Sequence, residues 1–305
     1  MTVPTRRMGV VVLNWNGRPY LEGCLSSLAE QDHPDHFVVL VDNGSEDGSA
    51  DFVRTRFPGV EILELGENRR FAGGNNAGAA HALERGADVL LILNNDTEAT
   101  PGFLRSLDGA FEDPAVGIAG PRVVHADRPE RIWYGGGRFD PAWGFARHRA
   151  LRARVGAGAD PAGPTDWVTG CALAVRAEVW RELGGLDEEF YIYAEDVDFC
   201  LRARAAGWSV AYVPAAVLHH AVSASVGGRM SRFKAYHRTR SRRQLARRHA
   251  HGLLAGPTGF LYDAALAGFL LLRGAPGAAG AVFEAVFEAP SAEPRHPTRE
   301  LRGDV

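Results

Sequence analysis

The sequence predicts an α/β protein: a Rossmann-like, mixed but mainly parallel sheet flanked by helices, followed by a C-terminal helical appendage. Three observations carry this expectation. Short Val/Leu/Ile-rich runs alternate with helix-like segments through the first third of the chain, as βαβ units require. Three of those runs stop abruptly on polar side chains, at the ends of strands where open α/β sheets bind ligands. Beyond Gly227 the composition turns densely basic and then apolar, which sets an appendage apart from the sheet. The expected boundaries are 1–228 for the sheet domain, 229–289 for the appendage and 290–305 for a Pro-rich, charged, disordered tail.

The strands are Val10 to Asn14, Phe37 to Asp42, Glu61 to Leu65 and Val89 to Leu93, each short and apolar enough for a sheet covered on both faces. The helices between them have readable starts. In "NGSEDGSADFVRTRF" Ser45 and Asp47 are available as caps, and in "TPGFLRSLDGAF" Thr100 precedes Pro101 at a first helical position. In "ENRRFAGGNNAGAAHALERG" Gly73 and Gly74 open a helix, where free N–H groups and the dipole suit phosphate or another anion. This is not GxGxxG and it follows the third strand, which disfavours a dinucleotide fold. From Pro114 to Trp167, Gly-rich stretches such as "IWYGGGRFD" indicate hairpins and long loops. Order returns with "DWVTGCALAVRAEVW" and "EDVDFCLRARAAGWSVAYVP", a helix followed by a strand.

The bulk properties narrow the class. The chain has 305 residues, 46% hydrophobic and 23% charged, with a net charge of −3. That is the composition of a globular protein with a sizeable core, and it argues against a nucleic-acid binder. Cys24, Cys171 and Cys200 form no CxxC pair, so neither a disulfide framework nor a zinc cage is expected; the thiols read as reduced, in a cytoplasmic protein. The apolar run after the N-terminal arginines, Val10 to Leu13, is too short for a signal peptide. The stretch "GLLAGPTGFLYDAALAGFLLL" contains Pro257 and Asp263 and falls short of the roughly 20 apolar residues of a spanning helix. It reads as a buried or interfacial helix pair.

Asn14 after "VVVL", Asp42 after "VVLV", and Asn94, Asn95 and Asp96 after "VLLIL" all lie at strand ends, so they converge on one crevice. Taken singly, Asp42 and Asp96 are equally suited to capping the turns that follow them. "FYIYAEDVDFCLRARAAGW" crowds Glu195, Asp196 and Asp198 at a helix start, which the dipole favours, and Asp198 with Arg202 makes an i,i+4 pair. A carboxylate there stays ionised near neutral pH, as a general base must. "AAVLHHAVSAS" ends another apolar run on His219 and His220, either a metal ligand or a satisfied surface histidine.

Taken in order, "VVLNWNG", "VDNGSEDGS", "NRRFAGGNNAG", "LLILNNDT", "DWVTGCALAVR", "YAEDVDFCLRARAAGW" and "LHHAVSAS" resemble the family 2 glycosyltransferases, particularly the rhamnosyltransferase-like members. The resemblance runs from Met8 to Ser225. It implies a GT-A fold and an inverting hexosyl transfer, with rhamnose or another deoxysugar as the family-level expectation. The donor would be a nucleoside diphosphate sugar (dTDP- or UDP-linked) and the acceptor a hydroxyl of a glycan or glycolipid, lipid-linked acceptors included, in bacterial polysaccharide or cell-wall synthesis. On this resemblance Asn14 and Asp42 meet the nucleotide, Gly73, Gly74, Asn75 and Asn76 line the donor site with Asn95, and Asp96 approaches Mg²⁺ or Mn²⁺ and the diphosphate. Asp196 is the general base, His219 is preferred over His220 as the metal or diphosphate ligand, and Glu195 and Trp167 are assigned to the acceptor side.

Three positions depart from the family pattern. Asn94 stands where a second carboxylate is frequent, so Asp96 makes only half a metal site. Arg70 replaces a common glycine before "FAGGNN", and Arg240-Ser241 stands in place of an Arg-Asn pair. Arg229 to Arg248 holds nine Lys or Arg residues and no acid, either a solvated helix face or a contact for an anionic membrane at its inner, cytoplasmic side, or for a lipid-linked diphosphate. Trp133, Tyr134, Trp143 and Trp167 are suited to stacking on sugars or to packing on the sheet. A sugar nucleotidyltransferase would need a Gly-rich basic loop after the first strand, where "NWNGRPYLEG" stands. A noncatalytic nucleotide-sugar-binding module would be expected to lack Asp196 or Asp96.

Overall fold

A computed structural model of the chain describes residues 5–158, 160–221, 230–251 and 255–288. The tail expected over 290–305 and the boundary expected at 228/229 lie outside the described residues. The chain forms two compact units. One comprises Met1–Arg138, Arg147–Glu188 and Asp196–Val222; the other comprises Phe139–Ala146, Glu189–Glu195 and Ser223–Val305.

The expected alternation opens the chain: β1 (Met8–Asn14), α1 (Arg18–Ala29), β2 (His36–Asp42), α2 (Ser49–Arg56), β3 (Glu61–Glu64), α3 (Arg70–Glu84) and β4 (Val89–Asn94). Then come β5 (Thr97–Ala99), α4 (Phe103–Gly109), β6 (Val116–His125), β7 (Arg128–Tyr134), a separate hairpin of β8 (Gly137–Asp140) and β9 (Phe145–His148), β10 (Gly163–Pro164), β11 (Ala172–Arg176), α5 (Ala177–Leu183), α6 (Glu195–Ala205) and β12 (Ser209–His220). The main sheet runs β10-β12-β6-β11-β4-β1-β2-β3, with β5 beside β12 and β7 beside β6. β4, β1, β2 and β3 are mutually parallel, and β11 enters antiparallel between β4 and β6. Val10, Val11 and Val12 of β1 and Leu90 and Leu91 of β4 are fully buried, each such side chain stabilising by about 1.5–3 kcal/mol.

Three helix starts differ from the sequence expectation: α2 begins at Ser49 after Gly48, at φ 78° and with no side-chain cap, so neither Ser45 nor Asp47 is its N-cap. α4 begins at Phe103 after Gly102, which takes the left-handed conformation at φ 76°. Thr100 lies outside the helix, and its hydroxyl donates to the Val217 carbonyl at 3.0 Å. α3 begins at Arg70, so Gly73 and Gly74 lie beyond its first residues and do not open it. Their helix is pressed on the sheet: a methyl at Gly74 would meet Leu13 Cδ1 at 2.5 Å, and one at Gly78 would overlap Val11 and Val41. The glycines are there for packing, whatever else the loop before them does. Arg70 has φ 64°, which explains why glycine is the easier residue at that position.

In the other unit, α7 (Arg232–His249) is capped by Ser231, whose Oγ accepts from the Lys234 amide at 3.2 Å. α8 (Ala255–Leu272) and α9 (Pro276–Phe287) follow. Ala235 and Tyr236 of α7 share a core with Ala267 and Leu270 of α8 and with Ala281 and Val282 of α9. The basic run is neither a plainly solvated face nor an unpaired one. Arg242 and Arg243 meet Asp263 of α8 at 2.6 and 3.2 Å, Arg232 meets Glu284 of α9 at 2.6 Å, Arg240 lies 3.8 Å from Glu288, and Arg248 meets Glu189 at 2.5 Å. No described helix is long and apolar enough to cross a membrane.

Candidate functional site

The site begins in the register of the parallel strands. Asn14 stands level with Asp42, and Leu13 level with Asn94, so the three polar strand ends come together as their spacing predicts. A second layer of bonds fixes them. Asn14 Nδ2 donates to Ser45 Oγ at 3.1 Å, and Asn14 Oδ1 accepts from Asn95 Nδ2 at 2.6 Å. Asp42 Oδ1 accepts from the Ser45 amide at 3.1 Å, so it does cap its own turn. A methyl on Gly17 would push the Asn95 amide away from Asn14 Oδ1.

The loops after β2 and β3 are tied by two residues that sequence reasoning passed over. Asn43 Oδ1 accepts from the Arg69 amide at 2.8 Å while its Nδ2 donates to Asn68 Oδ1 and to the Arg70 carbonyl, both at 3.1 Å. Asn43 is signalled in the sequence only as an amide directly after the strand-end acid Asp42, and Asn68 by nothing local. Asn75 is fully buried, with Nδ2 on the Phe71 carbonyl at 2.9 Å. Asn76, expected to line the donor site, closes a two-way bond with the Leu186 backbone at 2.9 Å in each direction and donates to Glu188 at 3.0 Å. It holds the 186–188 turn.

Asp96 follows β4 and leads at once into β5, which pairs antiparallel with the end of β12. That pairing brings a histidine to the acid, and the histidine is His220, not His219. Successive side chains of a strand point to opposite faces; His220 is buried, with Nε2 3.3 Å from Asp96 Oδ1, whereas His219 is half-buried. Burial works to lower the His220 pKa, but Cys171 and Asp96 facing it outweigh burial and leave it pushed up to about 10. The Trp133 ring stands edge-on to His220 at 4.8 Å. Tyr134 and Trp167 are buried against His148, and Tyr134 Oη donates to the Trp167 carbonyl at 2.6 Å. Trp167, expected on the acceptor side, therefore presents no open ring face for a sugar.

Asp96 Oδ1 is buried and meets His220 Nε2 at 3.3 Å as an ion-pair partner, without an aligned hydrogen bond, so it keeps acceptor capacity that a cation could use. Among the described residues no group of three or more His, Cys, Asp and Glu is placed to hold a metal by itself. Asp96 thus fits a divalent ion that draws its other ligands from elsewhere, as the Asn94 substitution leads one to expect, and His220 would join it as a ligand only on giving up its proton.

Asp196 is the second residue of α6. Its Oδ2 accepts from the Gly170 amide at 2.7 Å and its Oδ1 from the Val197 amide at 2.8 Å. Burial pushes its pKa up, against those two N–H donors. Gly170 lets the Phe71 ring and the Asp196 side chain close on it, which joins the "FAGGNN", "VTGC" and "AEDVD" segments. The next carbonyl, Cys171 O, accepts from the Asn94 amide at 3.0 Å. Asp198 and Arg202 form the expected pair at 2.8 Å, and Arg202 also donates to the carbonyls of Leu183 and Gly185. Glu195 is buried at the first position of α6. All three cysteines are free and buried.

This mixed sheet, with polar residues at the carboxyl ends of its parallel strands, has the GT-A fold seen in solved glycosyltransferases. In solved structures the chain is similar to the mannosyltransferase PcManGT from Pyrobaculum calidifontis, described in complex with GDP-Man and Mn²⁺ (TM-score 0.58, 21% identity, 98% of this chain and 79% of that one). It is also similar to GalNAc-T7, described with UDP, GalNAc and Mn²⁺ (TM-score 0.59, 17% identity, 71% of this chain and 44% of that one). The model of the glycosyltransferase like family 2 matches residues 4–246, and the chain belongs to that family. Among curated relatives, the N-acetylglucosaminyl-diphospho-decaprenol L-rhamnosyltransferase of Mycobacterium tuberculosis is 30% identical over 251 residues, 75% of this chain and 81% of the relative. The dTDP-rhamnosyl transferase RfbF of Shigella flexneri is 26% identical, over 70% of this chain and 68% of the relative.

Proposed function

We propose that the protein transfers rhamnose or a related deoxysugar from a nucleoside diphosphate sugar, with dTDP favoured over UDP, to a hydroxyl of a lipid-linked glycan acceptor in bacterial cell-envelope polysaccharide synthesis, with inversion. The support for the donor and acceptor is the naming of the two rhamnosyltransferase relatives. The observation that carries the mechanism is the Asp196 carboxylate, oriented by the Gly170 amide and shifted toward neutral pH by burial.

Asp196 takes the proton of the acceptor hydroxyl as its oxygen bonds the anomeric carbon from the face opposite the leaving group. The bond from that carbon to the diphosphate oxygen breaks, its electron pair leaves with the nucleoside diphosphate, and no protein nucleophile is needed. Asp42 and Asn14 hold the nucleotide end of the crevice; Asp96 and His220 stand at its diphosphate end. Asp96 would hold Mg²⁺ or Mn²⁺ there together with the donor's own phosphates, and the ion, when bound, would offset charge on the departing diphosphate. The protein works at the cytoplasmic face of the membrane that carries the acceptor.

Asp196→Asn tests the assignment. The expected outcome is a fall in kcat of about 10²–10⁴-fold, with the thermal shift given by dTDP and Mn²⁺ unchanged. Only the ionised carboxylate is a base, so transfer in the native enzyme declines as pH falls through the raised pKa, at a higher pH than the roughly 3.9 of a free aspartate. Full activity of the Asn variant would overturn the role.

A further inference from the structure

α8 is built inside out. Its one charged side chain, Asp263, is 1% exposed and held by Arg242 and Arg243, while Leu261, Phe269 and Leu272 are 65%, 57% and 88% exposed. A helix facing water carries its charges outward and its leucines inward. α9 repeats the pattern one turn apart, with Phe283 and Phe287 exposed by 44% and 76%. Apolar surface of this kind marks a binding face for something apolar.

The charges around it say what. The described residues of this unit hold nine Arg and Lys against six Asp and Glu, although the whole chain carries −3. The carboxylates of α8 and the α9 region are engaged inside the unit: Asp263 with Arg242, Glu284 with Arg232, Glu288 with Arg240. Arg238, Arg247 and Arg273 are exposed, and Arg273 lies over the Phe269 ring at 5.9 Å. A second copy of a unit with surplus positive charge is repelled; an anionic lipid surface is attracted.

We propose that the outer faces of α8 and α9 are an interfacial lipid anchor, seated at the headgroup–acyl boundary of an anionic bilayer without spanning it. The arginines of α7 that meet Asp263, Glu284 and Glu288 brace this unit from within, and the exposed ones add attraction. The inference deepens the lipid-linked acceptor reading and rests on it for its purpose.

The test uses the full chain with vesicles of phosphatidylcholine alone and of phosphatidylcholine with phosphatidylglycerol. The wild type is expected to co-sediment with vesicles, more strongly with the anionic ones. Leu261→Glu/Leu272→Glu is expected to bind at least about tenfold more weakly, while keeping the thermal shift with dTDP and Mn²⁺ and transfer to a water-soluble acceptor. Because the native cysteines are buried, Leu272→Cys can be labelled selectively with an environment-sensitive dye, whose emission should shift to the blue on anionic vesicles. The anchor is overturned if the wild type stays in the supernatant, if the double Glu variant binds as the wild type does, or if the dye does not shift. It is also overturned, in favour of a second copy, if the wild type is a dimer that ignores vesicles and the Glu variant is a monomer. Vesicle binding without transfer to a lipid-linked acceptor supports the anchor and overturns the acceptor reading.

Discussion

Asp96 reaches its histidine through a single-residue alternation. His219 and His220 are equivalent in composition and neighbours in the chain, yet only His220 approaches Asp96, because β5 pairs with β12 in a register that sets His220 against Thr97. His220→Ala is therefore expected to weaken Mn²⁺-dependent binding of dTDP by about ten- to a hundredfold, the usual effect of losing a group that supports a metal site. His219→Ala should leave it unchanged. Thermal shift with and without Mn²⁺ separates the two variants, and equal losses would sink the assignment. The same scale shows how much of the crevice serves to hold itself together. Asn14, Asn43 and Asn76 direct amide groups at other protein groups, so a polar strand end in the sequence marks the crevice without saying which atoms remain for the ligand.

The elements of the first half were legible because their signal is local. Strand runs such as "GVVVLN" and "DVLLILN" are bounded by turn residues, and each is found within two residues of its expected limits. Helix starts were less legible: Gly73 and Gly74 resemble an opening loop in sequence, but α3 uses Gly74 and Gly78 to lie close on β1 and β2. A substitution decides between these uses. In an exposed helix Gly→Ala stabilises by up to about 1 kcal/mol. At Gly78 the added methyl overlaps Val11 and Val41, and overpacking of that kind costs about 1–3 kcal/mol. Gly78→Ala is expected to lower stability in urea unfolding, and a gain would show that α3 can lift from the sheet without penalty.

At the scale of the molecule, the basic run of α7 acquires its meaning from residues distant in the chain, most of them in the two helices that follow it. Asp263 accepts from Arg242 at 2.7 and 2.6 Å and from Arg243 at 3.2 Å. Removing one partner of such a buried group leaves uncompensated charge, which costs about 3–5 kcal/mol. Asp263→Leu should accordingly destabilise the helical unit by that order in denaturant, despite its better helix propensity and apolar character; a neutral outcome would mean that water reaches the two arginines. By itself the sequence determined the α/β alternation, the gathering of Asn14, Asp42 and Asp96 at strand ends and the family, since strand periodicity and turn residues act over a few positions. Tertiary structure alone decided that His220 and not His219 meets Asp96, that Trp167 is packed, that Gly78 is pressed on the sheet, and that acids of α8 and the α9 region pair with four of the α7 arginines. Each of those outcomes depends on register and packing between segments distant in the chain, which local propensity does not encode.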